Sequence, residues 1–202
     1  MTSVLFIRHG QSTANVGEPT KVFSEVPLTE LGQQQARELA AKWTITPSLI
    51  AVSPFLRTQQ TAAPTVVRFP EAPVETWPIY EFTFWDPAHW TGGEPKDMMH
   101  EVDHYWMTAD PDLRYGGGAE SFAMMLQRAE NTFNQLAGLD VTSPVMVFTH
   151  GHFIQALRLT VLHPEWTPTK KMREFRAFDD AYWVQNTQVV TAEFNGTLWK
   201  ID

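Results

Sequence analysis

The chain contains no cysteine, which excludes disulfides, thiolate metal sites and a thiol nucleophile together. It has no apolar run near the ~18 residues that a membrane span needs. It also lacks an excess of base, with 15 Lys and Arg against 23 Asp and Glu and a formal net charge of -8. Non-specific nucleic-acid binding draws on basic surface, so no nucleic-acid partner is expected, although a local basic pocket can sit in an acidic protein. The opening residues Met1–Arg8 carry no basic n-region and no small-residue cleavage site. They read as a strand, not a secretory leader, and the cytoplasm is the expected compartment.

What is present is ordinary for a globular chain with a sizeable core: 202 residues, 43% apolar and 19% charged. No repeat, low-complexity tract or linker divides it, so one domain over residues 1–202 is expected. Ser3–Ile7 is an apolar run leading into Arg8-His9-Gly10 and reads as a buried strand entering a loop. Thr29 can cap a helix to about Trp43, with Ala36, Leu39, Ala40 and Trp43 on one face. Leu49–Val52 is a second short strand, and a helix is expected to start at Pro54.

The stretch from Phe69 to Gly118 is rich in Pro, Gly and Trp and reads as irregular, with one helix between Pro95 and Pro111. Phe122, Leu126, Ala129, Phe133 and Leu136 fall at helical spacing up to Gly138. Pro144–Thr149 reads as a strand followed by a helix from about His152 to Leu162. Thr187–Phe194 and Thr197–Ile201 flank Asn195-Gly196, the pair suited to a two-residue hairpin. Short strands alternating with helices indicate an α/β fold, a mostly parallel sheet covered on both faces.

Two His-Gly pairs follow apolar strands, His9-Gly10 and His150-Gly151. In open α/β sheets ligand sites collect at the carboxyl ends of strands, so parallel neighbours would bring the two imidazoles together. Ser53-Pro54 also follows a strand, with Arg57 about one helical turn beyond, and Glu81 could supply a carboxylate from a covering loop. Guanidinium groups bind phosphate oxygens bidentately, a neutral imidazole is a competent nucleophile, and a carboxylic acid can protonate a departing alkoxide. The set points to phosphoryl transfer through His9, with fixed positive charge doing what metals do elsewhere.

These residues also carry a resemblance. Arg8-His9-Gly10-Gln11-Ser12-Thr13-Ala14-Asn15, Leu28–Ala36, Ser53–Ala62, Glu81-Phe82-Thr83-Phe84, Gly118-Ala119-Glu120-Ser121 and Thr149-His150-Gly151 occur in the order seen in the histidine phosphatase superfamily, also called phosphoglycerate mutase-like. The chain resembles that family over about three quarters of its length. The resemblance implies a three-layer α/β/α sandwich and a phosphohistidine on His9. Arg8, Arg57, His150 and Asn15 would hold the phosphate, with Gln11 and Gly151 beside them. Glu81 would be the proton donor and acceptor, and no cofactor is implied. Trp85 stands where the family commonly has Gly, which puts the path of the Glu81 loop in question. His152 stands where its mutases carry Asn. This departure, with the lack of long covering insertions, favours a phosphatase acting on a small phosphorylated substrate over a mutase. His9 must be neutral to attack, so the rate is expected to fall at low pH.

Other readings compete. His100-Glu101-Val102-Asp103-His104 matches the HExxH pattern, which on a helix places two imidazoles on one face for zinc with Glu101 as base and Glu120 as the only nearby third ligand. The simpler reading is an exposed polar helix face. A non-catalytic protein binding phosphorylated ligands is a further alternative, against which the retained His9 and its arginines stand. Lys170, Lys171, Arg173 and Arg176 read as a solvated basic face near a loop. Trp77, Phe82, Phe84, Trp85, Trp90 and Trp106 are core, or else line an apolar substrate pocket.

Overall fold

The computed structural model describes residues 2–19, 22–86 and 99–202; Trp90 lies outside them. Strands β1 (Thr2–Arg8), β2 (Leu49–Val52), β3 (Val74–Thr76), β4 (Val145–Thr149), β5 (Val189–Phe194) and β6 (Trp199–Ile201) form one sheet in the order β3-β2-β4-β1-β5-β6. β3, β2, β4 and β1 pair in parallel, and β5 and β6 add an antiparallel hairpin beside β1. The helices are α1 (Glu30–Lys42), α2 (Leu56–Arg68), α3 (Met99–Thr108), α4 (Phe122–Ala137), α5 (Gly151–Leu162) and α6 (Pro168–Ala181).

Side-chain alternation along the strands divides the core in two. Val4, Phe6, Leu49, Ala51, Val145 and Val147 face α4, α5 and α6, packing with Phe122, Met125, Phe133, Phe153, Leu157 and Phe175. Ile7, Ile50, Val52, Met146 and Phe148 face α1 and α2, packing with Leu39 and Ala62. Strands buried on both faces read as unbroken apolar runs, which is how β1, β2 and β4 look in the sequence. This is the three-layer α/β/α sandwich.

Four local expectations need correction. α2 begins at Leu56 with Phe55 as N-cap, so Pro54 precedes the helix and Arg57 lies in its first turn. The hairpin is not closed by two residues: Phe194 pairs with Trp199, which leaves Asn195–Leu198 as the connection. Only Gly196 in it has a positive φ, of 96°. Asn195 Oδ1 instead accepts from the N–H groups of Thr197 and Leu198, both at 2.9 Å. The basic cluster starts beside a loop, in the first turn of α6, but is not a fully solvated face. Thr167 caps α6 by accepting from Lys170 N, Lys171 is buried, and Arg176 Nη1 donates to Asp103 Oδ1 at 2.8 Å. Strand β3 was not foreseen, because its three residues are exposed and carry no apolar alternation.

The α1 cap brings a helix against the loop after β1. Thr29 Oγ1 accepts from Gly32 N at 3.1 Å and donates to Gln11 Oε1 at 2.9 Å. A Cβ on Gly32 would lie 2.0 Å from Gln11 O, and one on Gly10 would lie 2.6 Å from Gly32 O. Two glycines therefore allow the backbones to touch directly behind His9. Gly32→Ala should displace the His9–Gln11 loop and lower stability by about 1–3 kcal/mol, read as a shift in denaturant midpoint. Activity should fall further than folded protein does.

Candidate active site

The register Arg8↔Thr149 ends β1 and β4 at one level, so His9 and His150 leave the sheet side by side with ring centroids 5.2 Å apart. His9 N donates to Thr149 O, and Ser53 N to Phe148 O, each at 3.0 Å. The carboxyl ends of three strands thus meet at one edge, the place where such sheets bind ligands.

Both imidazoles are buried, His9 at 3% and His150 at 0% exposure. His9 Nδ1 lies 2.7 Å from Gly10 O. A carbonyl can only accept, so Nδ1 carries the proton and Nε2 keeps its lone pair. Arg57 Nε donates to that Nε2 at 3.2 Å. Burial, then the Arg57 charge, with a smaller push from Arg8, hold the His9 pKa well below the usual value; the bond to Gly10 opposes them. His150 is lowered in the same way, by burial first and then by Arg57, His9, Arg128 and Arg8.

The arginines are anchored from outside. Arg8 Nη1 donates to Val184 O, and Arg57 Nη1 donates to Phe23 O at 2.9 Å. Burial lowers the Arg57 pKa to about 10, Glu81 opposing and Arg8 adding to the shift, so it stays protonated at neutral pH. Two buried polar atoms here have no hydrogen-bond partner among the described residues: Arg8 Nε and His150 Nδ1. A Cβ placed on Gly151 would be 3.4 Å from Arg8 Nε, which puts that atom next to the start of α5. Buried polar groups are nearly always paired, so these two atoms, beside a neutral imidazole, stand out.

Glu81 reaches the same place. Its Oε1 accepts from Phe82 N at 2.9 Å and its Oε2 from His152 N at 3.4 Å, at the N-terminus of α5 where the helix dipole favours an anion. Its charge acts on Arg8, Arg57 and His152. The Trp85 ring packs against Tyr115 with centroids 5.6 Å apart. The segment before Glu81 is pinned by Arg128, which donates to Pro78 O at 3.0 Å and Tyr80 O at 2.8 Å while holding Glu120 through two bonds of 2.8 Å. Thr149 Oγ1 donates to Ile79 O at 2.6 Å.

Asn15 Oδ1 accepts from Ser12 N at 3.1 Å and from Asn186 Nδ2 at 3.2 Å. Asn186 Nδ2 also donates to His9 O at 3.0 Å. Gln11 instead turns its side chain to Thr29. Sequence reasoning missed Ser53 as the partner of His150, Arg128 as the anchor of the Glu81 segment, and Asn186. Ser53 opens a motif quoted above, but its contact with His150 spans 97 residues; Arg128 reaches Pro78 across 50 residues and Asn186 reaches His9 across 177.

The zinc reading loses its third ligand. His100, Glu101 and His104 are exposed along α3, beside a cavity shared with Trp85, Arg114, Tyr115 and Gly116. Glu120 is 4% exposed and committed to Arg128. The aromatic residues proposed for a pocket also divide differently. Trp77 and Phe82 are buried in the core, and Phe84 and Trp106 pack against it.

The sequence profile of the histidine phosphatase superfamily (branch 1) matches residues 4–202, and the chain belongs to that family. A metal-independent phosphoserine phosphatase of Arabidopsis thaliana is 25% identical over 171 residues, covering 80% of this chain and 69% of the relative. Among solved structures, the α-ribazole phosphatase of Shigella flexneri superposes with a TM-score of 0.77 at 20% identity, over 100% of this chain and 95% of the other. A mutant phosphoserine phosphatase of Entamoeba histolytica, solved with phosphoserine, gives a TM-score of 0.75 at 18% identity with coverage of 100% and 95%. No helix among the described residues is long and apolar enough to cross a membrane.

The lowered histidine pKa values carry a sign. An unfolded histidine takes up its proton near pH 6.5 and the folded pair does so only further down. Folding is therefore penalised as pH falls below that value, by up to about 1.4 kcal/mol per pH unit for each histidine. Denaturant midpoints should slide from pH 6.5 to 5, and less steeply in His150→Gln; equal slopes would show that His150 is not held neutral. The acid fall in rate expected from the sequence is displaced likewise, so kcat/KM should hold through pH 6.5 and drop lower down.

Proposed function

We propose that this phosphomonoester hydrolase carries its phosphoryl group on Nε2 of His9 and releases it to water, acting on a small phosphorylated molecule. The reading rests on one observation: two buried, unpartnered nitrogens, Arg8 Nε and His150 Nδ1, stand beside an imidazole whose lone pair is on Nε2. Attack forms the N–P bond in line with the breaking P–O bond. Arg57 Nε leaves the imidazole for an equatorial oxygen, and Arg8 and His150 take others.

A phosphate oxygen only accepts, so His150 must carry its proton on Nδ1. Its Nε2, 2.8 Å from Ser53 Oγ, then accepts the serine hydroxyl proton. Phe55 N donates to the same oxygen at 3.3 Å, leaving that proton free for His150. Asn15 has its oxygen occupied twice, which leaves its NH₂ as the group to offer phosphate. Gly151 contributes the helix N-terminus and the space in which Arg8 lies, while Gln11 supports the loop through Thr29. Glu81 protonates the leaving oxygen and later takes the proton of the water that frees His9.

Fixed donors around developing charge supply what a metal would otherwise supply. The named relatives act as phosphatases, which supports hydrolysis over transfer to a second hydroxyl.

Phosphate release from an aryl phosphate in excess chelator should be fast for the native chain and fall by on the order of 10³-fold or more in His9→Ala. Glu81→Gln should cost about 10²–10⁴-fold with alkyl esters, and less with aryl esters, whose leaving groups need no proton. Activity that required zinc and survived His9→Ala would overturn the reading and move the chemistry to His100 and His104.

A further inference from the structure

Rings other than those the sequence suggested stand at the mouth of the site. On the Arg57 side, Phe23 and Phe55 lie 4.7 and 5.0 Å from the guanidinium carbon. They meet edge to face at 5.8 Å, and Phe55 stacks on Tyr80 at 5.8 Å while touching the His150 ring at 5.2 Å. On the Arg8 side, the Trp183 ring lies 4.6 Å from the guanidinium carbon. Trp183 is 48% exposed and Tyr182 beside it 57%.

Bracing an arginine uses one face of an indole. Tryptophan is highly buried on average, and here about half of its surface stays in water next to a phosphate-binding cation. Apolar surface continuous with a site marks ligand contact. The charged groups nearby point the same way. Arg8 and Arg57 are needed by the phosphate, and the His152 ring is engaged by Asp179 at 3.5 Å. Among these described residues none is a free cation for an acidic leaving group, whereas aromatic surface is exposed.

We infer that the preferred leaving group is an apolar ring, as in a benzylic or aryl phosphate, read by Phe23 and Trp183. This rests on the phosphatase reading above. The test compares benzyl phosphate with propyl phosphate, whose alcohols leave with similar difficulty, and benzylphosphonate with propylphosphonate as non-hydrolysable ligands measured by calorimetry.

The native chain should favour the benzyl member of each pair by about three- to tenfold. Trp183→Leu and Phe23→Leu should each shrink that ratio, and Trp183→Phe should restore part of it. A native chain without preference, or variants that slow both esters equally at constant ratio, would overturn the inference and leave the rings as braces for the arginines. Absence of hydrolysis of either ester by the native chain would overturn the phosphatase reading and the leaving-group inference with it, whereas hydrolysis without a benzyl preference would overturn the inference alone.

Discussion

Parallel pairing of β1 with β4 is the constraint on which the chemistry depends. Because Arg8 and Thr149 are register partners, the next residue on each strand is a histidine, and the two imidazoles are side by side before any side-chain contact is made. The pairing also decides their environment. The strands are buried on both faces, so their ends deliver His9 and His150 into low dielectric, where a neutral imidazole is favoured over its cation. A one-residue slip would turn each strand's core residues to the wrong face, so the hydrophobic pattern that builds the two cores guards the alignment of the site.

Around that fixed pair the protein builds by anchoring from behind. Arg57 is held by Phe23 O, Arg8 by Val184 O, and the segment before Glu81 by Arg128 and Thr149. Each anchor is a backbone carbonyl or a side chain outside the reacting set. Arg8 Nε and His150 Nδ1 thus stay uncommitted, and Arg57 Nε is held only by His9, so in the proposed mechanism little freedom is lost when phosphate arrives. The Glu120–Arg128 pair shows how sites of this kind are supported. Its charges are buried and bidentate, and its further bonds go to the Pro78 and Tyr80 carbonyls.

Legibility in the sequence followed the range of the interaction. β1, β2, β4, α1 and α4 were readable because strand runs and helical spacing are local, and the residues at their ends placed His9, His150 and Arg57. α6 is less legible: Thr167-Pro168 opens it and Met172, Phe175 and Phe178 share its buried face, but Lys170, Lys171, Arg173 and Arg176 interleave charge with that period. The hairpin failed differently, because Asn195 satisfies the turn with its side chain instead of adopting a left-handed backbone. Ser53 is legible as a strand-end residue but not as the partner of His150, and Arg128 and Asn186 carry no local sign of what they touch across the fold.

The bond from Arg57 Nε to His9 Nε2 gives the resting enzyme a safety catch. In the proposed mechanism the lone pair with which His9 attacks is covered by the cation that takes up the phosphate, so a stray electrophile meets a masked nitrogen. Only a ligand able to draw the guanidinium away uncovers it. Recognition and reactivity are thereby one event, and discrimination against the wrong molecule begins before any bond to phosphorus forms.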